Sequence, residues 1–309
     1  MKTNNLKGTL ILLIAAIIWG LAFVAQSGAA QLVPPFATNC LRSFIAAIVL
    51  YVLYLVVNRK EKIPFIPKKK TERKKVLSAG LITGCFFFMA ANFQQFGIKF
   101  YPPQAETEAR SAFITALYVI LVPIFSVVIN KKISPFVLLA VLIAVVGVYM
   151  LCFSKGISGV YFADLLVFVC AICFALHIIC IDKYVGLVGG IRLSVMQFIV
   201  CGFISFVCAV IFEADEFSVK NTVQAIWPIL YLGIMSSGVA YTLQIIGQKY
   251  AEASVASITM SLESVFGALG GWLISGKAML PLQIVGCVVM FAAIVVAQIP
   301  EFISDKKAT

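Results

Sequence analysis

Apolar residues run in ten long stretches along the chain, separated by short segments that are polar or contain Pro and Gly. Each stretch approaches the roughly 20 apolar residues that an α-helix needs to cross the hydrocarbon core of a bilayer. The pattern predicts an all-α membrane protein with ten transmembrane helices. The predicted spans are Lys7 to Ala29, Ala37 to Val57, Val76 to Ile98, Ala109 to Ile129, Pro135 to Phe153, Tyr161 to Ile181, Leu193 to Phe212, Gln224 to Ile246, Ser254 to Ser275 and Pro281 to Ile299.

Composition agrees with this pattern. Of the 309 residues, 62% are hydrophobic and only 12% are charged, and the mean hydropathy is +1.04, whereas soluble domains carry about 25% charged residues. The nine cysteines are scattered through apolar stretches, and the chain has a single histidine. Such a set lacks the ligand spacing of a zinc site. The sequence therefore predicts neither a metal site nor a cofactor.

The positive charges are distributed unevenly between the predicted loops. If the N terminus is cytoplasmic, 18 of the 24 Lys and Arg residues fall in cytoplasmic segments and only 5 on the other side. Because positively charged loops stay in the cytoplasm, both termini are predicted to be cytoplasmic. Nine of these residues lie in the loop "RKEKIPFIPKKKTERKK", which we interpret as facing the lipid headgroups. The predicted partners are the lipid bilayer and a small-molecule substrate, with no nucleic acid, and the sequence is compatible with a monomer.

The two halves of the chain resemble each other. "IIWGLAFVAQ" aligns with "ICFALHIICI", "QQFGIKFY" with "QIIGQKYA", "VPIFSVV" with "ESVFGAL", and "SPFVLLAVLIAVVGV" with "LPLQIVGCVVMFAAI", in the same order along the chain. We therefore predict two five-helix repeats, residues 7–153 and 161–299. Because five is odd, the second repeat would start from the opposite face, and inverted repeats of this kind are typical of transporters that bind substrate near the membrane midplane.

Several motifs are similar to those of a known family. "IIWGLAFV", "CLRSFIAAIVL", "DLLVFVCAICFAL" and "ASVASITMSLESVFGALGGWLISGK" resemble the EamA family of the drug/metabolite transporter superfamily. The resemblance implies ten helices in two inverted EamA repeats around a central cavity, and transport of small metabolites, often amino acids, across the bacterial inner membrane. The chain has Ser264 where the family commonly has proline, which we expect to straighten the ninth helix, and Lys277 where the family commonly has glutamate.

Two charged residues lie more than one turn from either end of a predicted helix, where ionisable groups usually face the bundle interior or a cavity. Glu263 lies near the middle of the ninth span. It could pair with Arg42, carry a proton during transport, or contact a cationic group of the substrate. Arg42 lies near the outer end of the second span. It could extend to the water interface or hold a carboxylate of the substrate with both guanidinium nitrogens.

Polar and aromatic residues complete the candidate site. Gln94 and Gln244 occupy equivalent repeat positions, so they are predicted either to line the substrate site or to hydrogen-bond between helices. Tyr241 precedes Gln244 by three residues and shares its helical face. Trp19 either stacks on an apolar or aromatic substrate or packs between helices. His177, the single histidine, is either a packed core residue or a group that changes charge near neutral pH in the cavity.

An intramembrane protease is the competing class of function. "GISG" has the pattern of a serine protease motif, but Ser158 and His177 would lie about 28 Å apart if the segment between them were one helix. That separation is too large for a catalytic pair, so we predict no enzyme. We predict a secondary active transporter of a small metabolite, an amino acid or related compound, with export favoured. The alternative is an uptake carrier or a multidrug exporter for organic cations.

Overall fold

The computed structural model describes residues 5–59, 64–102, 107–129, 133–152, 160–275 and 280–308, and all regular secondary structure in these ranges is helical. The helices are α1 (Asn5–Ala30), α2 (Pro35–Val57), α3 (Lys70–Phe100), α4 (Thr107–Ala116), α5 (Tyr118–Val128), α6 (Pro135–Cys152), α7 (Phe162–Val188), α8 (Gly190–Phe212), α9 (Val219–Gln224), α10 (Ile226–Leu230), the π-helix π1 (Tyr231–Ala240), α11 (Tyr241–Gly247), α12 (Ala253–Met260), α13 (Glu263–Ser275) and α14 (Pro281–Ala308).

Eight helical segments in the described ranges are long and apolar enough to cross a membrane. Two further apolar stretches, Pro135–Met150 and Ala253–Leu269, are shorter and fall in the fifth and ninth predicted spans. The chain is therefore a multi-pass, all-α membrane protein. The count of ten crossings, the inverted repeats and the cytoplasmic termini stay predictions.

Some helices extend beyond their predicted spans. α3 begins at Lys70 rather than Val76, and α7 continues to Val188 rather than ending at Ile181. A helix can continue through polar residues at either end, so a prediction from hydropathy alone underestimates the length of the helix. α7 stops at Gly189, whose φ of 84° lies in the left-handed region that ends many helices and that favours glycine.

Three predicted helices are interrupted. The fourth span divides into α4 and α5 at Leu117, and the eighth, which begins at the last residue of α9, covers α10, π1 and most of α11. The ninth divides at Ser261, after which α13 starts at Glu263, so the expectation that Ser264 straightens this helix is wrong. The Ser261 and Ser264 hydroxyls donate to backbone carbonyls three residues earlier, at 2.8 and 2.7 Å. Such local bonds compete with the helical pattern and bend it. Lys277 lies outside the described residues.

α1 contacts π1, α11, α12 and α13. The most extensive helix pairs are α6 with α14, α3 with α7, and α2 with α8. Where α1 meets α13, a Cβ atom added to Gly20 would lie 2.6 Å from the Gly267 nitrogen. Only glycine at position 20 permits this approach, since the obstructing atoms belong to the backbone.

A buried ion pair joins the start of α7 to the start of α4. Asp164 accepts hydrogen bonds from Arg110, whose Nη2 lies 2.7 Å from Oδ2, and from the Tyr101 hydroxyl at 2.8 Å. It also accepts the Tyr161 backbone N–H at 2.7 Å. The Arg110 and Asp164 side chains are 8% and 14% exposed. This contact fixes one end of the bundle, on the side where α3 ends.

Candidate functional site

A narrow cavity lies at the middle of the bundle, where α1, π1 and the break between α12 and α13 meet. It has a volume of about 30 Å³, room for roughly two or three water molecules. Six of the residues singled out from the sequence line it: Trp19, Arg42, Gln94, Tyr241, Gln244 and Glu263. They come from α1, α2, α3, α11 and α13, so the fold brings together positions that are far apart in the chain.

Glu263 is the first residue of α13 and is 6% exposed. The break at Ser261 makes Glu263 a first-turn residue of α13, a position where the helix dipole favours negative charge. Its side chain accepts a hydrogen bond from the Tyr118 hydroxyl at 3.2 Å. Among the described residues it has no salt bridge. The carboxylate therefore lines the cavity with a neutral partner.

Arg42 is buried in α2, with 3% of its surface exposed, so it does not extend to the water interface. Its Nε donates to the Ser237 hydroxyl at 2.9 Å, and its Nη2 donates to the Ser236 hydroxyl at 3.2 Å. Both serines belong to π1. No described carboxylate forms a salt bridge with Arg42, so the proposed pairing with Glu263 is absent from this part of the chain. The cavity thus contains a guanidinium and a carboxyl group that are not paired with each other.

The π-helix places the serines and aromatic rings around Arg42. The Tyr241 N–H donates to the Ser236 carbonyl five residues earlier, and the same carbonyl accepts the Trp19 indole N–H at 3.3 Å. The Trp19 and Tyr241 rings meet edge to face, with centroids 4.6 Å apart. π-helical segments in proteins are rare and occur frequently at functional sites. Together these contacts form an aromatic wall beside the guanidinium.

The two glutamines predicted to be equivalent have different surroundings. Gln94 accepts from Gln26 Nε2 at 2.8 Å and donates to Thr115 Oγ1 at 3.1 Å, so it links α3 to α1 and α4. Gln244 is 2% exposed, and its Oε1 has no hydrogen-bond partner among the described residues. The Gln94 amide therefore connects helices, whereas the Gln244 Oε1 lacks a hydrogen-bond partner in the described chain.

His177 does not line the cavity. The side chain is fully buried, its Nε2 is 2.9 Å from Gln197 Oε1, and its ring lies 5.7 and 6.3 Å from the rings of Phe87 and Tyr241. Phe174 and Ile178, on the same helix, line the cavity instead. The sequence alignment identified the right helix, but His177 is directed towards α8.

Other cavity residues escaped the sequence analysis. Gln26, Thr115 and Tyr118 line the cavity and hydrogen-bond to predicted site residues. Gln26 interrupts an apolar stretch, and that polar position was an available signal. Thr115 and Tyr118 are side chains that occur commonly in membrane helices, so nothing in the local sequence distinguishes them.

Comparisons with known proteins agree with this architecture. The EamA-like transporter family matches residues 6–153 and 161–298. An uncharacterized transporter of Archaeoglobus fulgidus is 29% identical over 297 residues, covering 96% of this chain and 87% of that protein. The uncharacterized transporter YoaV of Bacillus subtilis is 24% identical over 266 residues, covering 83% and 85%.

A protein of known crystal structure shares the fold, with a TM-score of 0.75 at 18% identity, over 94% of this chain and 96% of that one. The family match covers nearly the whole described chain, including the helices that carry Arg42 and Glu263. This chain therefore belongs to the EamA-like transporter family, whose members are multi-pass membrane transporters.

Proposed function

We propose that the protein is a secondary active transporter that exports a small zwitterionic metabolite, an amino acid or related compound, across the bacterial cytoplasmic membrane. Transport proceeds by alternating access between two inverted five-helix repeats, residues 7–153 and 161–299. Both termini lie in the cytoplasm. Membership of a transporter family and the central position of the cavity support this proposal.

One observation carries the proposal: Arg42 and Glu263 line the same cavity without forming a salt bridge to each other. A buried charge is costly unless a counter-charge satisfies it. A substrate with a carboxylate and an ammonium group supplies both counter-charges, the carboxylate at the guanidinium and the ammonium at Glu263. The charged ends of the site thus match the charged ends of an amino acid.

The volume of the cavity bears on the mechanism. A space of about 30 Å³ is far smaller than the roughly 300–1,000 Å³ of pockets for drug-sized ligands. Substrate entry therefore requires the surrounding helices to separate. α1 and π1 are the natural elements to move, since the Tyr231 hydroxyl donates to the Ile18 carbonyl at 2.7 Å and Trp19 binds the Ser236 carbonyl. Breaking these contacts opens the cavity, in keeping with alternating access.

Transport of organic cations is the second candidate function. Glu263 faces the cavity with only the Tyr118 hydroxyl as a hydrogen-bond partner in the described chain, and a carboxylate without a counter-charge suits a cationic substrate. Arg42 argues against this candidate because it would repel a cation that lacks a carboxylate. Glu263 is also our candidate for proton coupling.

A thermal-shift screen of the purified protein distinguishes these functions. The ligands are amino acids, organic cations without a carboxylate, and carboxylates without an amine. A ligand that binds the folded state at 100 times its Kd stabilises it by about 2.7 kcal/mol, and we expect only the amino acids to do so. Stabilisation by the organic cations alone would replace the proposed function with the second candidate.

A further inference from the structure

Gln244 lines the cavity and carries an unsatisfied acceptor. Its side chain is 2% exposed and lines the cavity, and its Oε1 is fully buried without a hydrogen-bond partner among the described residues. No other cavity-lining side chain in this part of the chain has a buried polar atom without a partner. Buried polar atoms are nearly always satisfied in folded proteins, by protein, water or ligand.

Gln94 shows that the cavity can satisfy an amide when the role is structural. Both ends of the Gln94 amide have partners, Gln26 on α1 and Thr115 on α4. The same fold leaves the oxygen of Gln244 without one. An unmade hydrogen bond at a buried acceptor costs free energy, and that cost is removed when a bound molecule supplies a donor. Gln244 lines the cavity, so a molecule bound there is placed to supply that donor.

We propose that Gln244 determines specificity by accepting an N–H hydrogen bond from the ammonium group of the substrate. This inference rests on the proposed function and adds the requirement for an N–H donor. Glu263 supplies a negative charge and can itself accept N–H bonds from a primary ammonium, and Gln244 adds a second, neutral acceptor. A neutral amide oxygen favours the primary ammonium, because a trimethylammonium group has no N–H. The site then selects primary amino acids against betaines that carry the same two charges.

The test compares pairs of ligands with equal charge. The probes are alanine and phenylalanine and their N,N,N-trimethyl analogues, and the readout is the Kd from ligand-dependent thermal shift in detergent. A site that hydrogen-bonds an N–H group rejects an analogue without it strongly. For the wild-type protein we expect the trimethyl analogue to bind at least about tenfold more weakly than the primary amine. In Gln244→Leu we expect the ratio of the two Kd values to move towards one, mainly because the primary amine binds more weakly.

Two further variants separate hydrogen bonding from steric exclusion and from loss of folding. Gln244→Glu keeps an acceptor and removes the amide donors, so it should keep the preference for the primary amine. Gln298→Leu is the matched control. Gln298 is also a buried amide with an unpartnered Oε1, but it binds Thr9 at 2.6 Å and lies outside the cavity. This variant should keep the wild-type ratio.

The outcomes distinguish this inference from the proposed function. If Gln244→Leu keeps the wild-type ratio, the preference is steric and the assignment of Gln244 is wrong. If Gln244→Glu loses the preference, the amide acts as a donor, which also overturns it. If the wild-type protein binds both members of each pair equally, Gln244 has no such role while the proposed function stands. If it binds neither member of any pair, the proposed function itself is contradicted and the assignment falls with it.

Discussion

Replacing Arg42 by Met should abolish substrate binding with little change in stability. In the wild-type protein Arg42 donates two hydrogen bonds, at 2.9 and 3.2 Å, and is 3% exposed. Hydrogen bonds to a charged group contribute about 1.5–3 kcal/mol each, and burying an ion costs several kcal/mol. These terms nearly offset each other, and Met fills most of the volume of the arginine stem. The serine hydroxyls can still donate to helix carbonyls. We expect the free energy of unfolding to change by less than about 2 kcal/mol.

The same substitution would have a different effect if Arg42 were held by a buried carboxylate. Removing one partner of a buried ion pair costs about 3–5 kcal/mol, because the other charge stays buried and uncompensated. Chemical unfolding of Arg42→Met in detergent measures this difference, and thermal shift with amino acids measures binding in the same samples. A loss of 3 kcal/mol or more, or wild-type binding of amino acids, would refute the reasoning.

Arg42→Lys is the control that keeps the positive charge and removes the planar guanidinium group. Lysine keeps the positive charge but lacks the planar fork that binds a carboxylate through two nitrogens. We expect binding that is weaker than in the wild-type protein and stronger than in Arg42→Met. Equal binding by the two variants would mean that the charge of Arg42 does not contribute.

Three further predictions concern other parts of the fold. Asp164→Asn should lower the free energy of unfolding by about 3–5 kcal/mol, because it removes the counter-charge of a buried arginine. Glu216→Gln should lower it by less than about 1 kcal/mol, since its ion pair with Lys99 is exposed. Equal effects of the two substitutions in chemical unfolding would contradict the difference in burial. Gly20→Ala should reduce the yield of folded protein on size-exclusion chromatography, because its Cβ would meet backbone atoms, whereas Gly28→Ala, with its nearest neighbour at 3.9 Å, should not. His177→Ala should leave the pH profile of transport between pH 5 and 8 unchanged, since the ring is fully buried outside the cavity, and a displaced profile would return this histidine to the site.

The sequence predicted the helices well and their interruptions poorly. Apolar stretches identify membrane helices because the bilayer admits little else, and each predicted span is largely helical in the described residues. The breaks at Leu117 and Ser261 depend on local hydrogen bonds and tertiary packing. Leucine and serine are common within membrane helices, so neither residue signals a break. The π-helix likewise follows from contacts that only the folded bundle provides.

The candidate site, like the helices, was predicted only in part. Arg42 and Glu263 were identified because charges are rare in apolar stretches, and both line the cavity. Their partners were not identified, since the Tyr118 hydroxyl and the serines of π1 lie 145 to 195 positions away along the chain. The sequence left His177 as either a packed core residue or a cavity residue, because the repeat alignment matches helices but does not fix the direction of each side chain. The structure has it packed in the core.

Exchange of a radiolabelled amino acid across proteoliposome membranes tests the central claim most directly. Wild-type protein should exchange internal and external amino acid, and the amine-free carboxylates and carboxylate-free cations should fail to compete. Glu263→Gln keeps an acceptor for the Tyr118 hydroxyl at 3.2 Å, so it should stay folded but lose this discrimination. Competition by organic cations as strong as that by amino acids, in wild-type protein, would contradict the account of a site built from Arg42 and Glu263 for a zwitterion.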